Sequence, residues 1–216
     1  MPRVLGIDEA GRGAVLGPLV VAGIVVDEER LPFLAELGAR DSKRVARPRR
    51  RALLRELVRA ADGARAVVIP AADVDQENLT EIELSAAARL IVALHPDRTV
   101  LDTPVPPPAI PGFVARLGPR AGIAPQAIVA FPKADRDHPA VAAASLLAKV
   151  VRDAFVLALH RHYGDFGWGY PGEAKVRAFL VQWLAHHGRL PPICRTRWRS
   201  VPRLLSPELA FPVGPR

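Results

Sequence analysis

The chain has 216 residues, 50% of them hydrophobic, with one cysteine, Cys194; that suits one domain with a modest appendage and excludes a disulfide framework or a Cys-rich zinc site. No apolar run is long enough to span a bilayer and no signal-peptide pattern opens the chain, so a soluble protein of the reducing cytoplasm is expected. The net charge of +8 fits a polyanionic partner and equally an arginine-rich solvated surface, and with aromatics at 6% any nucleic acid would be held through its backbone.

In chain order, residues 4–8 read as a strand, and residues 19–26 as a second one after the turn at Gly17-Pro18. Leu53, Leu54, Leu57, Val58 and Ala61 fall at helical spacing, with Pro48 suited to the first turn. A strand over 64–69 follows. Thr80-Glu81-Ile82-Glu83 has the pattern of a capping box opening a helix through Leu94, whose buried side takes Ile82, Leu90, Ile91 and Leu94. Residues 99–102 form a short strand ending in an acid, "TPVPPPAIPG" is expected to be loop, and residues 126–131 form another strand. A long helix runs from about 138 to 162 with Pro139 at its start. A last one covers 173–187 and stops at Gly188. The order of elements predicts a mixed-sheet α/β domain over 1–188, with a small helical or extended C-terminal element over 189–216 packed on it.

Four acids lie at strand ends or just beyond: Asp8 and Glu9 after the first strand, Asp102, and Asp135 in "FPKADRDHP". Strand ends of α/β sheets are where sites are built. Carboxylate clusters with few histidines suit hard cations such as Mg²⁺, and two such ions can activate water and stabilise a leaving oxygen in phosphodiester hydrolysis. Neighbouring strand residues point to opposite faces, so Asp8 and Glu9 share one metal pair only if the strand breaks; Ala10-Gly11-Arg12-Gly13 offers that break. The glycines leave backbone N–H groups open to a phosphate or sugar, and Arg12 supplies a charged fork.

"GIDEAGRG", "DSKRVARPRRRALL" and "KADRDHPAVAAASLLAKVVRD" together resemble the signature segments of ribonuclease HII, the type 2 ribonucleases H, from about Val4 to Trp198. "GYPGEAKVRAFL" and "RTRWRSV" resemble the archaeal-style members. The resemblance implies a ribonuclease H-like fold with a small C-terminal helical part. It also implies an endonuclease that cleaves the RNA strand of RNA/DNA hybrids and cuts 5′ of a single ribonucleotide in duplex DNA. Such a cut leaves 5′-phosphate and 3′-hydroxyl ends, as in removal of ribonucleotides during DNA replication and repair. It makes Asp8, Glu9, Asp102 and Asp135 the carboxylates for two Mg²⁺ or Mn²⁺ ions. The Gly11-Arg12-Gly13 backbone is expected at the ribose 2′-hydroxyl and the neighbouring phosphate, and Tyr170 on the sugar at the RNA–DNA junction. The expected partners are RNA/DNA hybrid and ribonucleotide-containing duplex DNA, met by a monomer. A sliding clamp is a further possible partner, for which "LLSPELAFPVGPR" carries no convincing motif.

Lys43, in the basic run from Asp41 to Arg51, is covered by the resemblance and is a candidate phosphate contact. Ser145 and Lys149 lie four apart on one helix face, where either a phosphate or their own helix engages them. Asp137 and Asp153 read as surface acids. His138, His160, His162, His186 and His187 fit no zinc spacing. Trp183 and Phe179 read as core, Trp168 as a support for the Tyr170 loop, and Cys194 as a buried, inert thiol. Two alternatives remain: another two-metal nuclease acting on DNA junctions, and a silent hybrid-binding module.

Overall fold

Alternation along two apolar strands divides the core. The computed structural model describes residues 1–38 and 46–206. Strands β1 (Arg3–Ala10), β2 (Leu19–Asp27), β3 (Gly63–Ile69), β4 (Arg98–Asp102) and β5 (Ile128–Phe131) form one mixed sheet in the order β3-β2-β1-β4-β5. β1, β2 and β3 pair antiparallel, whereas β4 and β5 continue parallel to β1. The described helices are α1 (Leu31–Glu36), α2 (Arg47–Ala60), α3 (Ala71–Gln76), α4 (Leu79–Leu94), α5 (Ile110–Ala121), α6 (Ala134–Asp137), α7 (Pro139–Tyr163), α8 (Ala174–His187) and α9 (Ser200–Leu205).

Leu5, Ile7, Val21 and Val25 point to one face and bury Leu84, Leu90 and Ile91 of α4 and Leu117 of α5. Val20, Ala22, Ile24 and Val26 point to the other, against Ala143 and Leu146 of α7 and Leu57 of α2. The run of small residues lets α7 lie close on β1: a Cβ on Gly6 would fall 2.1 Å from the backbone carbon of Ala140. A third cluster joins Val15, Leu16, Val156, Phe166, Leu180, Ile193 and Val201, so residues on both sides of position 188 share one core.

Three local expectations change. The N-cap of α4 is Asn78, whose side chain accepts from the Thr80 amide, so the residues from Thr80 to Glu83 are helical and Glu83 is free to turn inward. The proline-rich stretch after Asp102 is loop only as far as a 3-10 turn over Pro107–Ala109, beyond which α5 begins. Pro111 sits in its first turn, where a missing N–H is harmless, and Phe113, Leu117 and Ala121 bury one face. Lastly, β1 does not break after Glu9: Asp8, Glu9 and Ala10 keep regular register with Ala22, Val21 and Val20. Edge-to-edge pairing with β2 holds the strand extended to Ala10. The first departure comes at Gly11, which has φ +88°.

Candidate active site

Parallel pairing of Ile7 with Leu101 puts Asp8 and Asp102 side by side at the carboxyl ends of β1 and β4. Asp135 reaches the same place from α6, not from a loop. Lys133, in left-handed conformation just before α6, donates its amide to Asp102 Oδ1 at 2.7 Å and so ties α6 to the end of β4. One oxygen from each of Asp8, Asp102 and Asp135 lies within 4.8 Å of the others. Three clustered carboxylate oxygens without histidine or thiol are a hard donor set that fits a small divalent cation with several waters retained.

Asp8 is 6% exposed, and burial pushes its carboxyl up to about 6 against the hydrogen bonds from Ser145 and from the Glu9 amide, the latter 2.7 Å long. Lys149 opposes the rise through its charge, and its ammonium donates to the Ser145 hydroxyl. Ser145 is fully buried, and its hydroxyl bonds Asp8 and Lys149. Ser145 and Lys149 arise from α7, whose close packing on Gly6 brings them under β1.

Glu9 goes to the other face, outside the three-oxygen cluster. Burial, then the charges of Asp8 and Glu83, raise its carboxyl well above the ordinary range, and Arg12 offsets part of this. Arg12 is already engaged: its Nε donates to Glu83 Oε1 at 2.7 Å, and a terminal nitrogen donates to the Pro104 carbonyl at 2.7 Å. It thereby links the turn after β1 to α4 and to the chain just beyond Asp102. Glu83 is 3% exposed, and burial raises its carboxyl despite the ion pair. A charged residue in the middle of an apolar helical stretch was the available signal for it.

The two glycines of the turn differ. A Cβ on Gly11 would fall 2.1 Å from Nε of Arg152, so the room at Gly11 is taken by a protein side chain. Gly13 is exposed, with no atom of the described residues within 4 Å of a Cβ placed there, and a ligand can come close. Tyr170, 37% exposed, follows a turn in which Glu173 accepts from the Trp168 amide at 2.8 Å and the Tyr170 amide at 3.1 Å. The guanidinium of Arg47 stacks on Trp168 with its carbon 3.8 Å from the ring centre. Lys43 lies outside the described residues. Asp153 pairs with Arg47 and Arg50 at 3.5 and 3.4 Å, and burial pushes the Cys194 thiol up to about 12, which leaves it inert. No helix among the described residues is long and apolar enough to cross a membrane.

A family model described as Ribonuclease HII matches residues 5–201. A curated relative from Thermococcus kodakarensis, Ribonuclease HII, is 38% identical over 94% of this chain and 89% of its own length. The crystal structure of the ribonuclease H2 from Pyrococcus horikoshii OT3 superposes with a TM-score of 0.82 at 31% identity, covering 94% of this chain and 97% of that one. The ribonuclease HII of Archaeoglobus fulgidus, solved as a complex with PCNA, gives a TM-score of 0.81 at 36% identity, covering 91% and 95%.

Proposed function

The chain belongs to the ribonuclease HII family, and on that premise we propose that it cuts on the 5′ side of single ribonucleotides in duplex DNA, leaving 5′-phosphate and 3′-hydroxyl ends. The coarser activity is that of the family, a metal-dependent endonuclease of the ribonuclease H type acting on RNA/DNA hybrids. The observation that carries the finer reading is the exposed, open Gly13 on the turn that follows directly from a three-carboxylate cluster.

Asp8, Asp102 and Asp135 would hold the cation, Mg²⁺ or Mn²⁺. Glu9, which feels the charges of Asp8 and Asp102, remains the fourth carboxylate, on which a second cation would draw. Divalent cations at such a site supply Lewis-acid activation of water and neutralise charge at the leaving oxygen. The chain's own groups do the rest. Ser145 and the Glu9 amide orient the Asp8 carboxyl, and Lys149 lessens repulsion among the acids. The Gly11-Arg12-Gly13 backbone approaches the ribose, whose 2′-hydroxyl is the one handle that separates RNA from DNA at a single nucleotide. Arg12 sets that turn against Glu83 and lends positive charge beside the phosphate. Tyr170 offers its ring to the next sugar. The PCNA-bound relative from Archaeoglobus fulgidus supports a sliding clamp as a partner for this chain also.

The test is a DNA duplex with one internal ribonucleotide, incubated with the protein and Mg²⁺, with the cut position mapped. A nick just 5′ of the ribonucleotide is expected. Cutting of a long hybrid without that nick would overturn the single-ribonucleotide reading. Binding of both substrates with cleavage of neither would favour the silent module.

A further inference from the structure

Two arginines lie buried beneath the turn. Arg152 on α7 is 2% exposed, and Arg195, between α8 and α9, is 0% exposed. Neither forms an ion pair among the described residues. Terminal nitrogens of both, and Nε of Arg152, donate to backbone carbonyls instead, while Nε of Arg195 is buried without a hydrogen-bond partner among the described residues. Arg195 donates from one terminal nitrogen to Arg12 at 3.1 Å and from the other to Gly17 at 3.2 Å. Arg152 donates to Pro18 and Leu16, both at 3.2 Å, and to Trp168 at 3.0 Å. The Arg152 guanidinium also lies 4.9 Å from the centre of the Tyr170 ring.

Asp153 and Glu173 act on Arg152, and Asp75 on Arg195, only at longer range. A buried cation with no carboxylate in contact costs stability, and an apolar side chain of similar volume is often no worse for the fold. Packing alone therefore gives little reason for two of them side by side. Their geometry gives a better one. A guanidinium is a rigid planar fork, and each of these forks grips the turn over residues 11–18 from a different element. Backbone bonds complete the frame: the Val15 and Leu16 amides donate to the Gly169 carbonyl at 2.7 and 3.2 Å, and the Gly17 amide donates to Ile193 at 2.9 Å. Gly169 is glycine for the same contact, since a Cβ there would meet the Leu16 oxygen at 2.4 Å.

We propose that Arg152 and Arg195 are positioning residues: Arg152 ties the 11–18 turn to the Tyr170 loop, and Arg195 ties the same turn to the stretch between α8 and α9, so that together they fix the distance between the backbone facing the ribose and the ring facing the adjoining sugar. This rests on the assignment of Gly13 and Tyr170 to substrate reading. It makes the stretch between α8 and α9 part of the active site, because Arg195 sits there. A single embedded ribonucleotide offers one 2′-hydroxyl in one register and needs the two readers at a fixed spacing. A long hybrid offers a 2′-hydroxyl at every step and tolerates a looser turn.

The test combines amide hydrogen exchange of the metal-free, full-length protein with kinetics of Arg195→Lys, Arg195→Met and Arg152→Lys on both substrates. Exchange should quicken over residues 11–18 and 168–170 while β1 and β2 stay protected. Loss of orientation falls mainly on kcat, by ~100-fold on the single ribonucleotide and ~10-fold on the long hybrid, with Arg195→Lys milder than Arg195→Met. Lysine keeps the charge, and the two positions act from opposite sides, so a variant that fails to fold leaves another to decide. Unchanged exchange in the turn, or exchange rising evenly through the sheet as both activities fall, would overturn the clamp. Local loosening with equal losses on both substrates would uphold the clamp and overturn ribose reading by the turn.

Discussion

Asp8 and Glu9 are adjacent in the chain and end in opposite surroundings. On one face of β1, Asp8 meets Asp102, Asp135 and the Ser145–Lys149 pair in a cluster of acids beside the Lys149 ammonium. On the other, Glu9 approaches the Arg12–Glu83 ion pair, and the turn that follows is held by arginines bonded to carbonyls. The first region gathers the side chains that carry the proposed chemistry. The second contributes Glu9 and otherwise fixes the path of a backbone. Substitution should therefore separate them, the first trading stability for activity and the second losing accuracy of placement.

The largest effect is expected in the acid cluster. Asp8→Asn or Asp135→Asn should lower kcat by at least ~10³-fold while hybrid binding, read by gel shift or anisotropy, stays nearly intact. Equal loss of both would remove these residues from the catalytic role. Stability should move the opposite way for Asp8. Its carboxyl titrates near 6 in the fold against 3.8 ordinarily, so the native state holds the proton more firmly. That contribution is fully present below about 3.8, declines as pH rises between the two values, and is gone above 6. At pH 8 without metal, Asp8→Asn removes the buried charge and should stabilise by on the order of 2 kcal/mol. At pH 3.5 the gain should vanish, as urea denaturation would show. Mg²⁺ should raise the midpoint of the natural protein and not that of Asp8→Asn.

The glycines sharpen the comparison within the turn. Gly11→Ala adds a methyl at positive φ against Arg152, so melting temperature and activity should both fall. Gly13→Ala meets no atom of the described residues and should change stability by less than about 0.5 kcal/mol. If a ribose comes to Gly13, that methyl stands in its way, and kcat/KM on the single-ribonucleotide duplex should drop ~10- to 100-fold. Full activity of Gly13→Ala would move the ribose contact elsewhere.

The same contrast explains what the sequence made legible. Strands read from β-branched runs lie within a few residues of their places, and the acids of the cluster stood out because strand ends rarely gather so many charges. The break after Glu9 was an inference from the need to bring two neighbours together; pairing with β2 through Ala10 overrides it. α5 was hidden by its prolines, although Phe113, Leu117 and Ala121 recur at helical spacing. Glu83 fitted a capping pattern that Asn78 fulfils instead. Arg152 and Arg195 gave no signal as clamps, because their partners are carbonyls 134 and 183 residues away, and a carbonyl has no letter in a sequence.

Glu83 offers the smallest effect and a direct probe of the boundary between the two regions. It holds Arg12 with one oxygen, while the other is buried with no hydrogen-bond partner. Burial raises its carboxyl above the ordinary range, so it too contributes stability that is present at low pH and lost as pH rises through its folded value. Gln at this position can accept one hydrogen bond from Arg12 but drops the charge that fixes the direction of the guanidinium. At pH 8, Glu83→Gln should therefore keep or raise the melting temperature, since no anion is left buried at this position. Arg12 should lose its fixed direction, and kcat/KM should fall ~10-fold, with Glu83→Ala lower still. A residue that only held the fold would show the reverse, a lower melting point with catalysis unchanged. If that reverse is found, Arg12 is set by the Pro104 carbonyl and the Arg195 contact alone, and the second region ends at the turn without reaching α4.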